Sequence, residues 1–478
     1  VTHRTVGRPD WARGLEKVIL IQLFLTVIGA TLAFGTVEPW SVALFELNAL
    51  WMGLLLTILL SVDPVAPWSR QLFALPVWGV VLWAGCQMIP LAKGEGGPWP
   101  SPEGISWERL QLPTISMAPH LTRGAALKAL SLAIYFSSAL HVLRTTQRRR
   151  LAIRVLAGFG LLVATLSILQ RLTSPRILYW IRPVSPHVAP FGPFGNYNHF
   201  AGLVELLFPL SLASLLFFRD RSERRILFGL SSVTLLVAGI LSISRGGYLS
   251  ITGQLLLGGI ILWWDRSRRG GGGRSRGEQA RTLLLGAIAV GMFSLWMGAD
   301  TLSARLATIQ QGTQEYSVVT RLAYWRAAWQ IFLDHPLTGV GIGAFPAVYP
   351  RYGASSARFE RVEEVHNDYL QLLVEMGVIG GALLLVWIGI GLTLWRRHAR
   401  LWLETGRGDP AVLYGALLSL VGLALHSWVD FNLQIPSNAL LFLLIAAMMP
   451  MPEREVPERV WETVGTHGGA GEMRRPTA

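Results

Sequence analysis

VILIQLFLTVIGATLAF, residues 18–34, decides the class of fold. It carries no charge, and a helix of roughly 20 apolar residues crosses a bilayer core. Similar blocks recur at 230–244, at 382–395 and over nearly the whole chain. Of 478 residues, 51% are hydrophobic and only 15% charged, with mean hydropathy +0.43. A soluble domain carries roughly a quarter charged residues. A soluble protein with many buried helices would need a more polar surface than this. The chain is therefore read as an all-α integral membrane protein.

Twelve spans follow, at about 17–35, 41–60, 70–90, 121–142, 151–170, 199–218, 225–243, 247–264, 282–299, 371–395, 410–427 and 433–450. Arg4, Arg8, Arg13 and Lys17 precede the first, with no small-residue cleavage site, so it is expected to be a retained signal anchor. Alternate gaps are rich in arginine: Arg144 and Arg148 to Arg150, Arg219 to Arg225, Arg266 to Arg281, Arg396 to Arg407, and the C-terminal tail. Only the gap at 61–69 is weak. Cytoplasmic loops carry this bias, so both ends are expected inside. The net charge of +13 is then mostly a topology signal. The Gly/Arg stretch 266–281 fits a flexible loop against anionic lipid better than a nucleic-acid site. The expected organisation is a tail at 1–16, spans one to nine over 17–299, a large outer loop at 300–370, spans ten to twelve over 371–450, and a tail at 451–478.

Cys86 alone permits no intramolecular disulfide and no cysteine-based zinc site. No HExxH or paired Cys/His set occurs, and no P-loop or other nucleotide site. No metal and no cofactor are expected, which places the energy source in the substrate. Within the large loop, Leu322, Trp325, Trp329 and Phe332 recur at helical spacing, so 320–333 is expected to form an amphipathic helix, lying on the leaflet or packing over the spans. GVGIGAF, 339–345, reads as a tight turn with close backbone approach, not a dinucleotide fingerprint.

Five polar constellations fall on the outer side. Arg245, in SISRGGYLS (242–250), sits between two apolar blocks, where a charge normally faces a polar interior; the plainer reading is a snorkelling helix end. Tyr248 shares that segment. Arg321 and Arg326 lie on the amphipathic helix, and the guanidinium fork suits phosphate. His366 opens HNDYLQLLVEMG (366–377), where the loop re-enters the membrane, with Asn367, Asp368 and Tyr369 following. Histidine exchanges protons near neutral pH, so His366 is a candidate base for an attacking hydroxyl. GPFGNYNHFAG (192–202) brings Asn196, Asn198 and His199, as sugar-binding groups or helix caps. HSWVDFNLQIPSNA (426–439) brings Asp430.

In this order, SRGGYLS, the block RLAYWRAAWQIFLDHPLTGVGIGAF, HNDYLQLLVEMG, HSWVDFNLQIPSNA and the Gly-Asn-x-Asn segment resemble the O-antigen ligase and polymerase superfamily of bacterial envelope enzymes, over roughly 150–450. The resemblance implies a multi-helix glycosyltransferase fold of the lipid-linked-sugar (C) type with a large periplasmic loop, in the inner membrane. It implies metal-independent transfer of glycan from undecaprenyl pyrophosphate, to lipid A–core in ligases or to another repeat unit in polymerases. The family's essential arginines fall on Arg245 and Arg321, and its histidine on His366. The other polar residues named above, Arg326 and Asp430 among them, are expected to bind substrate. Ligase is the first reading, O-antigen or exopolysaccharide polymerase the second. Membrane lipids and a chain-length regulator are the expected partners besides donor and acceptor. A transporter or lipid flippase suits twelve spans equally, but internal repeats are not apparent. The absence of an obvious protein nucleophile implies inversion at the sugar.

Overall fold

Each of the twelve apolar segments contains a helix among its described residues in the computed structural model, which describes residues 9–62, 68–90, 114–184, 190–218, 222–268, 278–279, 281–293, 316–353, 362–406 and 408–451. The helices are α1 (Asp10–Leu32), α2 (Pro39–Val62), α3 (Trp68–Gln87), α4 (Pro119–Val142), α5 (Thr146–Thr173), α6 (Tyr197–Phe217), α7 (Ser222–Leu241), α8 (Arg245–Arg268), α9 (Arg281–Phe293), α10 (Tyr316–Asp334), the single turn α11 (Phe345–Val348), α12 (Asp368–Thr405), α13 (Pro410–His426) and α14 (Pro436–Ala446). A two-residue ladder, β1 (Ile177–Leu178) with β2 (Arg182–Pro183), folds the loop after α5. Much of the expected 91–120 loop, the core of the Gly/Arg stretch, residues 294–315 and 354–361 of the large loop, and the tail from 452 lie outside the described residues.

Among the described residues, eight helices are long and apolar enough to cross a membrane: α1, α2, α4 to α8 and α12. This is fewer than the twelve expected. Helices α9, α13 and α14 are apolar but shorter. At 1.5 Å per residue the 11 residues of α14 rise only about 16 Å, roughly half a bilayer core. The polar segment 427–435 displaces the start of that helix to Pro436.

The centre of the bundle is α6, which packs chiefly on α13, then on α7 and α5. Its most apolar window is 78% buried, against 33% for α2 and 22% for α12. Small residues explain this: Ala201, Gly202, Ser211, Ala213 and Ser214 let neighbouring backbones approach. The peripheral helices instead show Leu47, Leu82 and Leu385 to the outside, as a lipid-facing surface does.

One end of the bundle is tied by arginines that the sequence presents as loop charges. Arg149 is 1% exposed and donates to the carbonyls of Leu143 (2.7 Å) and Pro450 (2.6 Å). Arg70, also buried, donates to Leu140 and Met451. Buried Glu16 of α1 receives Arg144 at 3.0 Å and Arg148 at 2.7 Å. These side chains answer helix-end carbonyls and a buried carboxylate as well as biasing topology.

The large loop packs α10 over α12. The buried face of α10 is Ala327, Ala328 and Ile331, against Val340, Phe345, Val348 and Val365. The expected stripe is therefore only half right. Trp325 and Phe332 pack partly inward, whereas Leu322 and Trp329 are 44% and 49% exposed.

Helix α12 is not continuous. Gly377 has φ +61° and ψ −160°, which splits the helix after its first nine residues. The chain at 336–341 lies across the break and satisfies it. Val340 N–H donates to Val374 O (2.9 Å), Gly341 N–H to Glu375 O (3.0 Å), and Val378 N–H to Pro336 O (2.8 Å). The Gln87 amide adds bonds to Glu375 O and Thr338 O, both 2.8 Å. Irregular backbone at membrane depth needs such partners. A Cβ at Gly377 would overlap the Leu337 carbonyl, and a positive φ costs roughly 1–3 kcal/mol for other residues. Gly377→Ala is expected to lower the melting temperature in detergent markedly. An unchanged melt would mean that the break is not required.

Candidate active site at the helix ends

The half-helix that opens α12 begins where three other elements meet. Asn367 caps it: its side-chain oxygen accepts from Tyr369 N–H (3.1 Å) and Leu370 N–H (3.0 Å). Asp368 is buried behind the cap. Its carboxylate accepts from the Ser427 hydroxyl (2.8 Å) and Leu433 N–H (3.1 Å), and its own N–H donates to Ser427 O (2.9 Å). These bonds dock α12 onto the turn after α13. Tyr369 adds another, its hydroxyl donating to Ala424 O (2.7 Å).

That turn carries Asp430. Its N–H, with that of Val429, donates to His426 O, which extends α13 by a turn. Asp430 is 1% exposed and faces a guanidinium and an imidazole. Arg321 Nη2 of α10 lies 3.6 Å from Oδ2, and His366 Nδ1 lies 3.5 Å from Oδ1. Burial by itself would raise the Asp430 carboxyl. The imidazoles of His366, His426 and His199 outweigh that and hold it well below the usual carboxylate range. Both groups keep an open side, Arg321 with 31% and His366 with 26% of the side chain exposed. A buried anion thus aligns two groups that face outward.

His366 is the most constrained residue here. Its φ is +58°, uncommon for a side chain with a Cβ, though histidine enters this region more often than most. The ring stacks on Tyr324 (6.2 Å, 21°) and meets the edge of Phe431 (4.7 Å, 82°). Trp325 Nε1–H donates to its carbonyl at 3.4 Å. With Nδ1 toward Asp430, Nε2 remains for a substrate proton.

On the other side of Phe431 stands His199, ring to ring at 4.7 Å. It is 7% exposed, and its Nε2 has no hydrogen-bond partner among the described residues. Asn196 caps α6 through Asn198 N–H (2.9 Å). Asn198 Oδ1 accepts from Ser244 Oγ (2.8 Å), beside Arg245. Arg245 opens α8 on an exposed position, and Gly246 packs against His426.

The structure therefore brings Arg321, His366, Asp430 and His199 together, with Arg245 one residue from a site contact. Several expected ligand contacts turn out to have other work. Tyr248 is 1% exposed, and its hydroxyl is bound to Ile240 O at 2.6 Å, so it packs α8 rather than facing substrate. Asn196, Asn198, Asn367, Asp368 and Tyr369 are spent on caps and docking bonds. Arg326 is exposed on α10, away from the Asp430 pairing. Sequence reasoning missed Tyr324, Phe431, Ser427 and the Glu205–His426 pair. Of these, only a carboxylate inside an apolar span, Glu205, leaves a sequence signal.

Gln434, whose amide reaches Asp368 at 3.4 Å, also lines a cavity of about 700 Å³. Glu46, His120, Lys128, Glu364 and Glu375 supply its polar wall. A second, apolar cavity of about 210 Å³ between α3, α4, α12 and α14 shares Val80, Ala129, Leu132 and Leu433 with it. A chamber with a polar wall thus adjoins an apolar slot, and Gln434 links it to Asp368.

Residues 230–385 match the family model described as O-Antigen ligase. This segment is similar to the O-antigen ligase domain. It runs from α7 to the second half of α12 and takes in Arg245, Arg321 and His366, whereas Asp430 lies beyond its end. The match supports the resemblance to the O-antigen ligase and polymerase superfamily over this segment. The chain's apolar helices make it a multi-pass membrane protein. No curated protein matches the chain.

Proposed function

We propose that the protein transfers glycan from undecaprenyl pyrophosphate to lipid A–core at the periplasmic face of the inner membrane, as an O-antigen ligase. The observation that carries this reading is the convergence of Arg321 and His366 on buried Asp430. The acceptor oxygen attacks the anomeric carbon and the bond from that carbon to the phosphate oxygen breaks. The pyrophosphate leaves with the electron pair, and the hydroxyl proton passes to His366 Nε2. Charge grows on the leaving group, so fixed cations aimed there lower the barrier. Arg321, with Arg245 near the same contact, fills that role without a metal. Attack opposite the leaving group inverts the sugar centre. The adjoining polar chamber and apolar slot suit a substrate with a sugar head and a hydrocarbon tail.

Reconstitution in vesicles with undecaprenyl-pyrophosphate glycan and a choice of acceptors tests it. The expected product is glycan on lipid A–core, formed equally in a chelator. Chain extension of the donor alone would make the protein a polymerase, and restoration by magnesium after chelation would overturn the metal-free route. Arg321→Gln should weaken donor binding as well as transfer, since the cation holds pyrophosphate in ground and transition states alike. Unchanged donor affinity would remove Arg321 from the donor site.

The orientation rests on the arginine-rich gaps. Single cysteines at 270–276 are expected to label only from the cytoplasmic side, and those at 300–312 only from the periplasm. Outer labelling near 270–276 would reverse the topology.

A further inference from the structure

Glu205 lies in the middle of α6, within LVELLF, and has no exposed surface. A carboxylate there is costly unless it is partnered. Its partner is His426 at the end of α13, Nδ1 to Oε1 at 2.8 Å, and that ring is 1% exposed. The transfer step uses neither group. Hydrophobic residues of similar volume would often hold two helices together as well as a buried ion pair does. The contribution of this pair is better sought in what it touches.

His426 touches both halves of the site. The Nε2–Cδ2 edge of its ring lies against Gly246, where an added Cβ would come within 2.5 Å of both atoms. Gly246 follows Arg245. The His426 carbonyl accepts the Asp430 N–H at 3.1 Å and so starts the turn that carries the site carboxylate. Glu205 sits on the helix that also grips α8 twice more. Its carbonyl accepts from Gln254 (2.8 Å), and Asn198 of the same helix accepts from Ser244 (2.8 Å). Ser244 in turn caps α8 by accepting Gly247 N–H at 3.1 Å. The start of α8 needs this grip. Ile243, just before it, has φ +61°, a strained conformation for a β-branched residue, and such strain persists only where the surroundings over-determine it.

We propose that Glu205 and His426 are positioning residues for the transfer reaction. Glu205 fixes the His426 ring, and the ring fixes the first turn of α8 against the Asp430 turn. Arg245 is thereby set relative to the carboxylate that aligns Arg321 and His366. The proposal rests on the reading of Arg245 as a donor-pyrophosphate ligand.

The test uses the full chain in vesicles, with turnover and donor KM measured for E205L, E205Q, G246A, R245Q and the double variants E205L/R245Q and G246A/R245Q. E205L frees the ring, and G246A pushes it away from the other side without stranding a buried group. Each is expected to lower kcat/KM for the donor on the order of 10²-fold, the scale of a 1 Å misplacement. E205Q, whose amide oxygen still accepts from Nδ1–H, is expected to recover most of that loss. In the R245Q background, E205L or G246A should add less than about twofold, because both act through the same arginine. Fully multiplicative losses would overturn the proposal and leave the pair a packing device. If E205L does not fold, the G246A cycle decides alone. If R245Q itself leaves donor KM and turnover unchanged, the pyrophosphate reading of Arg245 fails and the positioning role falls with it. An effect of R245Q combined with a silent G246A would sink the positioning role alone.

Discussion

Replacing His366 with alanine is expected to slow glycan transfer by roughly 10²–10⁴, the usual cost of losing a general base, with donor affinity nearly intact. The ring stands between Tyr324 and Phe431 with Nδ1 facing Asp430, a geometry that leaves Nε2 for an acceptor hydroxyl. Nothing in that geometry requires His366 to touch the pyrophosphate, which is why binding and turnover should separate. The left-handed backbone at His366 complicates an alanine variant, since alanine is strained at φ +58° as well. His366→Asn is the better control. Asparagine tolerates that backbone and can hydrogen-bond, but it cannot take a proton. Both variants should fall to a similar low turnover while melting close to the parent. If H366N transfers at the normal rate to every acceptor tried, the histidine is a structural corner, and the active centre must be sought elsewhere.

How much of this is legible in the sequence depends on how local each feature is. The apolar blocks are local, so the eight long apolar helices can be placed from hydropathy alone. Helix lengths are not, because α14 is shortened by the docking of 427–435 onto Asp368. The caps are local too: Asn196 and Asn367 each stand just before an apolar helix, where an Asx side chain answers the first free N–H groups. Reading them as sugar ligands overlooks that nearer use. The break in α12 is not local. Glycine is common in membrane helices, and Gly377 becomes a break only because the segment at 336–341 supplies donors to Val374 and Glu375. Arg149 looks like one basic residue among four, yet its burial follows from carbonyls at Leu143 and Pro450 on distant segments. Asp430 reads as one polar residue in a short gap, and its meaning appears only when α10 and the start of α12 are folded over it.

Replacing Asp430 with asparagine is expected to have the other large effect, and its signature should differ from that of His366. The side chain keeps its shape but loses the charge that faces Arg321 and His366 at once. Without it the imidazole has no anion to set its tautomer or to stabilise the imidazolium formed on proton uptake, a loss worth about 10⁴ in a serine-protease triad with the same logic. Arg321, released from its internal counter-ion, should meanwhile meet pyrophosphate with less competition. Turnover is therefore expected to fall by about 10² or more while donor KM stays level or drops. Arg321→Gln should move KM the opposite way, so the two variants can be told apart in one assay. The pH dependence has a definite sign. Asp430 has a depressed pKa in the folded protein, so its contribution to stability is complete above its unfolded value of about 3.9 and is lost only as the pH falls further toward the folded value. A change in rate between pH 5 and 8 consequently does not belong to Asp430. In D430N the rate deficit should persist at every pH across that interval. A D430N variant that regains normal turnover at any pH there would show that the carboxylate neither orients His366 nor stabilises its charged form.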